Sequence, residues 1–154
     1  MYSLFSTSGT PKVRCFAVLS KVGTPLYISV PPTDEHIVFH FMTHCSLDYF
    51  EEKLNSIDST RHPCYLDLLY PSEAHRTYGF ITPTGTKFVV IIDDIDITKS
   101  AMERFFSSAY EAYLKVVLNP FYEDLKPIKS NLFESNILTA ITLLEGELKS
   151  ILNK

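Results

Sequence analysis

The sequence predicts an α+β domain in which an antiparallel sheet lies between helical layers, and three observations predict it. Segments of strand character and segments of helical periodicity follow one another in the order strand, strand, helix, three strands, helix, helix. Phe88-Val89-Val90-Ile91-Ile92 is an unbroken hydrophobic run, the pattern of a central strand covered on both faces. With 154 residues, 45% hydrophobic and 21% charged, the chain fits one globular domain with a single core.

From Val13 to Lys21 both alternating sets are largely apolar, Val13, Cys15, Ala17 and Leu19 on one side and Phe16 and Val18 on the other. This strand is therefore also expected to be covered twice. Val22-Gly23-Thr24-Pro25 turns the chain, Leu26 to Ser29 returns as a second strand, and Pro31-Pro32 ends it. Thr33 or Asp34 can cap a helix running from about Glu35 to about Ser56. On it, Val38, Phe41, Met42, Cys45 and Tyr49 form the stripe expected against the sheet. Phe39, Leu47, Phe50 and Leu54 form a second apolar stripe, which a loop over 58–63 or a partner must cover. Tyr65 to Tyr70, Tyr78 to Thr82 and Lys87 to Asp93 read as strands, the last two joined by a hairpin turn at Pro83-Thr84-Gly85-Thr86. Ser100 with Glu103 resembles a capping box for a helix reaching Asn119, with Met102, Phe105, Phe106, Ala109, Tyr113, Val116 and Val117 inward. A final helix begins near Asn131 and carries Phe133, Ile137, Ala140, Ile141, Leu144, Leu148 and Ile151 at helical spacing.

Between the last two helices lies a corner, Asn119-Pro120-Phe121-Tyr122, with Pro127 stiffening the return. Pro120 lacks the amide that a continuing helix needs, so the chain turns there. Burial of Phe121 and Tyr122 would pin the corner, and Phe121→Ala is expected to cost about 3 kcal/mol.

The net charge of −4 and a pI near 5.7 oppose nucleic acid or anionic lipid as direct partners. Cys15, Cys45 and Cys64 have no Cys-x-x-Cys spacing and read as thiols in a reducing compartment. Residues Met1 to Pro11, rich in Ser, Thr and Gly, lack a basic n-region and an apolar h-region, so residues 1–12 are expected to be a flexible tail before a single domain over 13–154. No apolar run approaches the roughly 20 residues of a bilayer span.

Two clusters invite a chemical reading. His36, His40 and His44 repeat every four residues, but no carboxylate or thiol is fixed beside them, and the row reads as solvated. Asp93, Asp94 and Asp96 stand at a strand end leading into a helix, with no glycine-rich phosphate loop, and read as turn and helix-terminus residues. No catalytic, cofactor-binding or metal-ligating residue is expected. A partner surface is expected instead at Leu47, Asp48, Phe50 and Leu54, where apolar side chains supply affinity and the carboxylate imposes orientation.

Three segments carry a resemblance to a known family: Ser46-Leu47-Asp48-Tyr49-Phe50-Glu51-Glu52-Lys53; Tyr78-Gly79-Phe80-Ile81-Thr82 with Lys87-Phe88; and Asn119-Pro120-Phe121-Tyr122 with Pro127-Ile128-Lys129-Ser130 and Phe133. Together, over Val13 to about Ile141, they resemble the sedlin family of small longin-domain subunits of the TRAPP vesicle-tethering complexes. Leu69-Tyr70-Pro71 is closer to its sedlin-like branch. The resemblance implies a longin/profilin-like fold of five antiparallel strands, with the first helix on one face and the last two on the other. It implies a noncatalytic, cofactor-free subunit that supports assembly of a Rab guanine-nucleotide exchange factor in ER–Golgi and intra-Golgi transport. Its partners would be other TRAPP subunits and, through the complex, a Rab GTPase; it would be cytoplasmic, peripheral to Golgi and ER membranes. The alternatives are a longin domain of a SNARE or adaptor small subunit, which in a SNARE would run on into a coiled coil and an anchor, or a small ligand- or metal-binding α+β protein.

Overall fold

The computed structural model describes residues 11–30, 36–56, 65–72 and 74–153. Eight elements follow in chain order: β1 (Val13–Leu19), β2 (Pro25–Ser29), α1 (His36–Ser56), β3 (Tyr65–Pro71), β4 (His75–Ile81), β5 (Lys87–Asp93), α2 (Lys99–Val117) and α3 (Asn131–Leu152). The strands form one antiparallel sheet in the order β2-β1-β5-β4-β3, with the hydrophobic run of β5 at its centre. The expected α+β, longin-like architecture is present, with α1 on one face and α2 and α3 on the other.

Alternation in the central strands divides the core in two. Phe16, Val18, Phe88, Val90 and Ile92 point to α2 and α3, where Met102, Phe105, Phe106, Phe133, Ile137 and Leu144 meet them. Cys15, Ala17, Leu19, Val89 and Ile91 point the other way, to Phe39, Met42 and Phe50 of α1. Each central strand is thus buried on both faces, which explains why neither β1 nor β5 shows a polar alternation.

The capping and boundary expectations shift in three places. Thr98, not Ser100, caps α2, its hydroxyl accepting from the Ala101 amide at 3.3 Å, and the helix ends at Val117 rather than Asn119. Strand β4 starts at His75, before the predicted Tyr78. The polar residues there were unreadable as strand because Arg76 is satisfied across the sheet end by Asp94 and Asp96 rather than by apolar packing. Ser130 caps α3 as its position suggests, accepting from the Phe133 amide at 3.2 Å. The predicted tail up to residue 10, the α1 cap at Thr33 or Asp34, and the 58–63 loop lie outside the described residues.

Two corrections bear on function. Helix α1 is turned by about a third of a revolution from the expected orientation. The stripe expected against the sheet is largely outward, with Val38 51%, Phe41 66% and Tyr49 37% exposed, and only Met42 of that set is buried. Phe39, Phe50, Thr43 and Ser46 face the sheet, with Leu47 and Leu54 packed beside them. The small hydroxyls satisfy themselves along the helix: Thr43 Oγ1 donates to the Phe39 carbonyl at 2.8 Å and Ser46 Oγ to the Thr43 carbonyl at 2.5 Å. A face of this kind allows close approach to the sheet without leaving the helix's own hydroxyls unpaired. The second correction concerns Phe121, which is 90% exposed and not in the core; Tyr122 alone of that pair packs inward.

Candidate partner-docking surface

Large apolar residues stand on both sides of α1, with Phe39, Met42 and Phe50 against the sheet and Ile37, Val38 and Phe41 toward solvent. At 3.6 residues per turn, Ile37, Phe41 and Asp48 share one azimuth to within about 20–40°, and Val38, Cys45 and Tyr49 flank them. Ile37 is 67% exposed. Asp48 and Glu52 are exposed in the middle of this face, and Glu51 at its border. The result is an exposed apolar stripe in the N-terminal half of α1 that runs toward exposed carboxylates in its C-terminal half, a composition suited to an interaction site.

The four residues expected to form the partner surface separate accordingly. Phe50 is fully buried, because Gly79 opposite it has no side chain: a Cβ at Gly79 would come within 2.9 Å of the Phe50 ring and 2.8 Å of Leu69. Leu47 packs over the β1–β2 turn, 3.0 Å from where a Cβ of Gly23 would stand, and Leu54 is part-buried in the same cluster. Those three side chains therefore hold α1 to the sheet, and Asp48 is the one that faces outward. Sequence reasoning missed Ile37, Val38 and Phe41 as outward residues, although Gly79 within a strand was a signal of where a bulky residue of α1 must sit.

The corner between α2 and α3 is ordered by Asn119. Its Oδ1 accepts from the Phe121 amide and its carbonyl from the Tyr122 amide, both at 3.0 Å, forming an Asx turn that lifts Phe121 into solvent. Farther along, the Ile128 amide donates to the Leu26 carbonyl at 2.8 Å, so this connection occupies the free edge of β2. Asn119, Pro120, Phe121 and Tyr122 thus form a structural motif through backbone geometry, with the Phe121 ring left outside the core.

The charged clusters are used for structure. Asp93 binds Arg14 through both oxygens, at 2.8 and 3.1 Å, and Arg76 bridges Asp94 and Asp96, tying β4 to the segment that enters α2. These carboxylates hold the Arg76 guanidinium even more firmly in its charged form. His40 and His44 are exposed on α1, and among the described residues no three His, Cys, Asp or Glu side chains converge as a metal site. Cys15 is buried beneath α1 with its Sγ 3.6 Å from Thr43 Oγ1, and burial pushes its thiol up to about 11. No helix among the described residues is long and apolar enough to cross a membrane.

A family profile described as Sedlin matches residues 18–142. The trafficking protein particle complex subunit 2-like protein of Xenopus tropicalis is 34% identical over 128 residues, covering 80% of this chain and 92% of that protein. Its Mus musculus counterpart has the same identity and coverage. That of Dictyostelium discoideum is 33% identical over 138 residues, covering 86% of this chain and 99% of its own length.

Proposed function

The chain belongs to the sedlin family, and from that premise we propose that it is a noncatalytic subunit of a TRAPP vesicle-tethering complex, docked to its neighbours through the outer face of α1. In this reading it supports assembly of the complex in ER–Golgi and intra-Golgi transport, and a Rab GTPase meets the assembled complex rather than this chain alone. The observation that carries the reading is the exposed stripe of Ile37, Val38 and Phe41 above a helix whose inner face is already packed.

The chemistry of the stripe selects the occupant. Asp48 and Glu52 are exposed beside the stripe, so a partner that covers it must bring opposite charge to them. A stable interface takes roughly 800 Å² from each partner, so other parts of the chain or a larger neighbour would add to the stripe. An apolar surface of another subunit, rimmed by Lys or Arg, satisfies both conditions. The test is affinity purification of the tagged chain from cells with mass spectrometry of what accompanies it. Other TRAPP subunits in near-stoichiometric amounts are expected; recovery of the chain without any of them would contradict the proposal.

A further inference from the structure

A second surface, different in chemistry from the first, lies at the α2–α3 corner on the opposite side of the sheet. Phe121 is 90% exposed, yet its backbone is held by the Asn119 turn rather than left to move freely. Behind it opens a cavity of about 390 Å³ between the last turn of α2 and the first turn of α3. Val116, Tyr122 and Phe133 give the cavity an apolar lining, and Lys115, Lys126 and Lys129 stand around it. Lys126 is engaged by Glu123. Lys115 and Lys129 form no ion pair among the described residues, although the chain carries a net charge of −4. An aromatic side chain presented on a fixed turn, a concave apolar pocket and two unengaged cations form a coherent recognition surface.

We propose that this cavity receives an extended acidic segment of a neighbouring protein chain, which places an apolar side chain beside Phe121 and its carboxylates against Lys115 and Lys129. A membrane surface is the other partner that basic and aromatic residues can serve, but the concavity favours a peptide over a flat anionic bilayer. The inference rests on the TRAPP reading only for the identity of the neighbour. With α1 engaged on one face of the sheet and this corner on the other, the chain would bridge two neighbours.

The test places the photocrosslinking residue p-benzoylphenylalanine at position 121 in the full chain in cells and sequences what it captures. The expected result is a crosslink to an acidic segment of another protein, with a yield falling about tenfold when Lys115→Glu and Lys129→Glu are combined, the equivalent of about one charge-assisted contact. All three positions are exposed, so the urea midpoint of the variant should stay at the wild-type value, which separates lost binding from lost folding. Crosslinks confined to this chain, absent altogether, directed to a segment without acidic residues, or indifferent to the charge reversal would overturn the inference. So would Phe121-dependent sedimentation of the purified chain with phosphatidylserine-containing vesicles, which would assign the corner to membrane. If TRAPP subunits co-purify while the crosslink fails, this inference falls and the subunit reading stands; a charge-dependent crosslink to an acidic segment with no TRAPP subunit co-purifying would have the reverse meaning.

Discussion

Phe50 occupies the space that Gly79 leaves open in β4, and this contact sets the distance between α1 and the sheet. Phe50→Ala would empty a fully buried site and is expected to lower stability by about 3–5 kcal/mol. Phe121→Ala removes a ring already in solvent and is expected to stay within about 0.5 kcal/mol of wild type. Urea midpoints of the two variants check both values, and a larger loss at position 121 than at position 50 would reverse the assignment of core and surface. Cys15 adds a pH dependence whose sign is fixed by burial. Its folded-state pKa is raised from 9.0 to about 11, so above pH 9.0 the unfolded chain releases a proton that the folded chain retains. The stability this thiol contributes is complete below 9.0 and is lost as the pH climbs toward about 11. Tyr27, Tyr65, Tyr78 and Tyr122 are raised chiefly by burial too and act in the same direction. Comparing the pH profiles of the urea midpoint for wild type and Cys15→Ala isolates the thiol, and the variant should show the shallower decline.

Among the elements, the two edge strands are protected by different means. Strand β3 carries two register irregularities, Asp67 at a φ of 64° and a terminal Pro71, all of which spoil it as a template for further pairing. Strand β2 is protected by the connection from α2 to α3, whose Ile128 is buried and donates its amide to Leu26. Ile128→Ala is expected to cost about 2–5 kcal/mol and to loosen that cover, so that the protein self-associates. Light scattering at matched concentrations would show it; a variant that stays monomeric would mean that the backbone bond protects the edge without the side chain. The same elements mark what the sequence could disclose. Strands β1 and β5 and the inner faces of α2 and α3 were legible because large apolar residues recur there at the period of the element. Helix α1 was legible as a helix but not in its orientation, since Thr43 and Ser46 face the sheet while Phe41 faces water. Periodicity weighs residue size and cannot see that Gly79 admits Phe50, or that a hydroxyl is satisfied by its own helix. Phe121 was misplaced for a related reason: hydrophobicity says nothing about the direction that an Asx turn gives a side chain.

At the scale of the whole molecule, the sheet separates two cores, and exposed large apolar residues lie on α1, at the corner, and also along α3 at Leu138, Leu143 and Leu152. Asp48 was singled out through its family-like segment and does stand exposed; its outward apolar neighbours Ile37, Val38 and Phe41 were not legible, because identifying them required knowing which side of α1 the sheet covers. The central claim is that the outer face of α1 holds the chain in its complex. The measurement that tests it most directly is co-purification of TRAPP subunits with Val38→Ser and Phe41→Ser combined, made alongside the urea midpoint of the isolated variant. Both residues are more than half exposed, so the midpoint should remain near wild type while the other subunits are lost. A folded variant that still brings down the complex in wild-type amounts would contradict the claim.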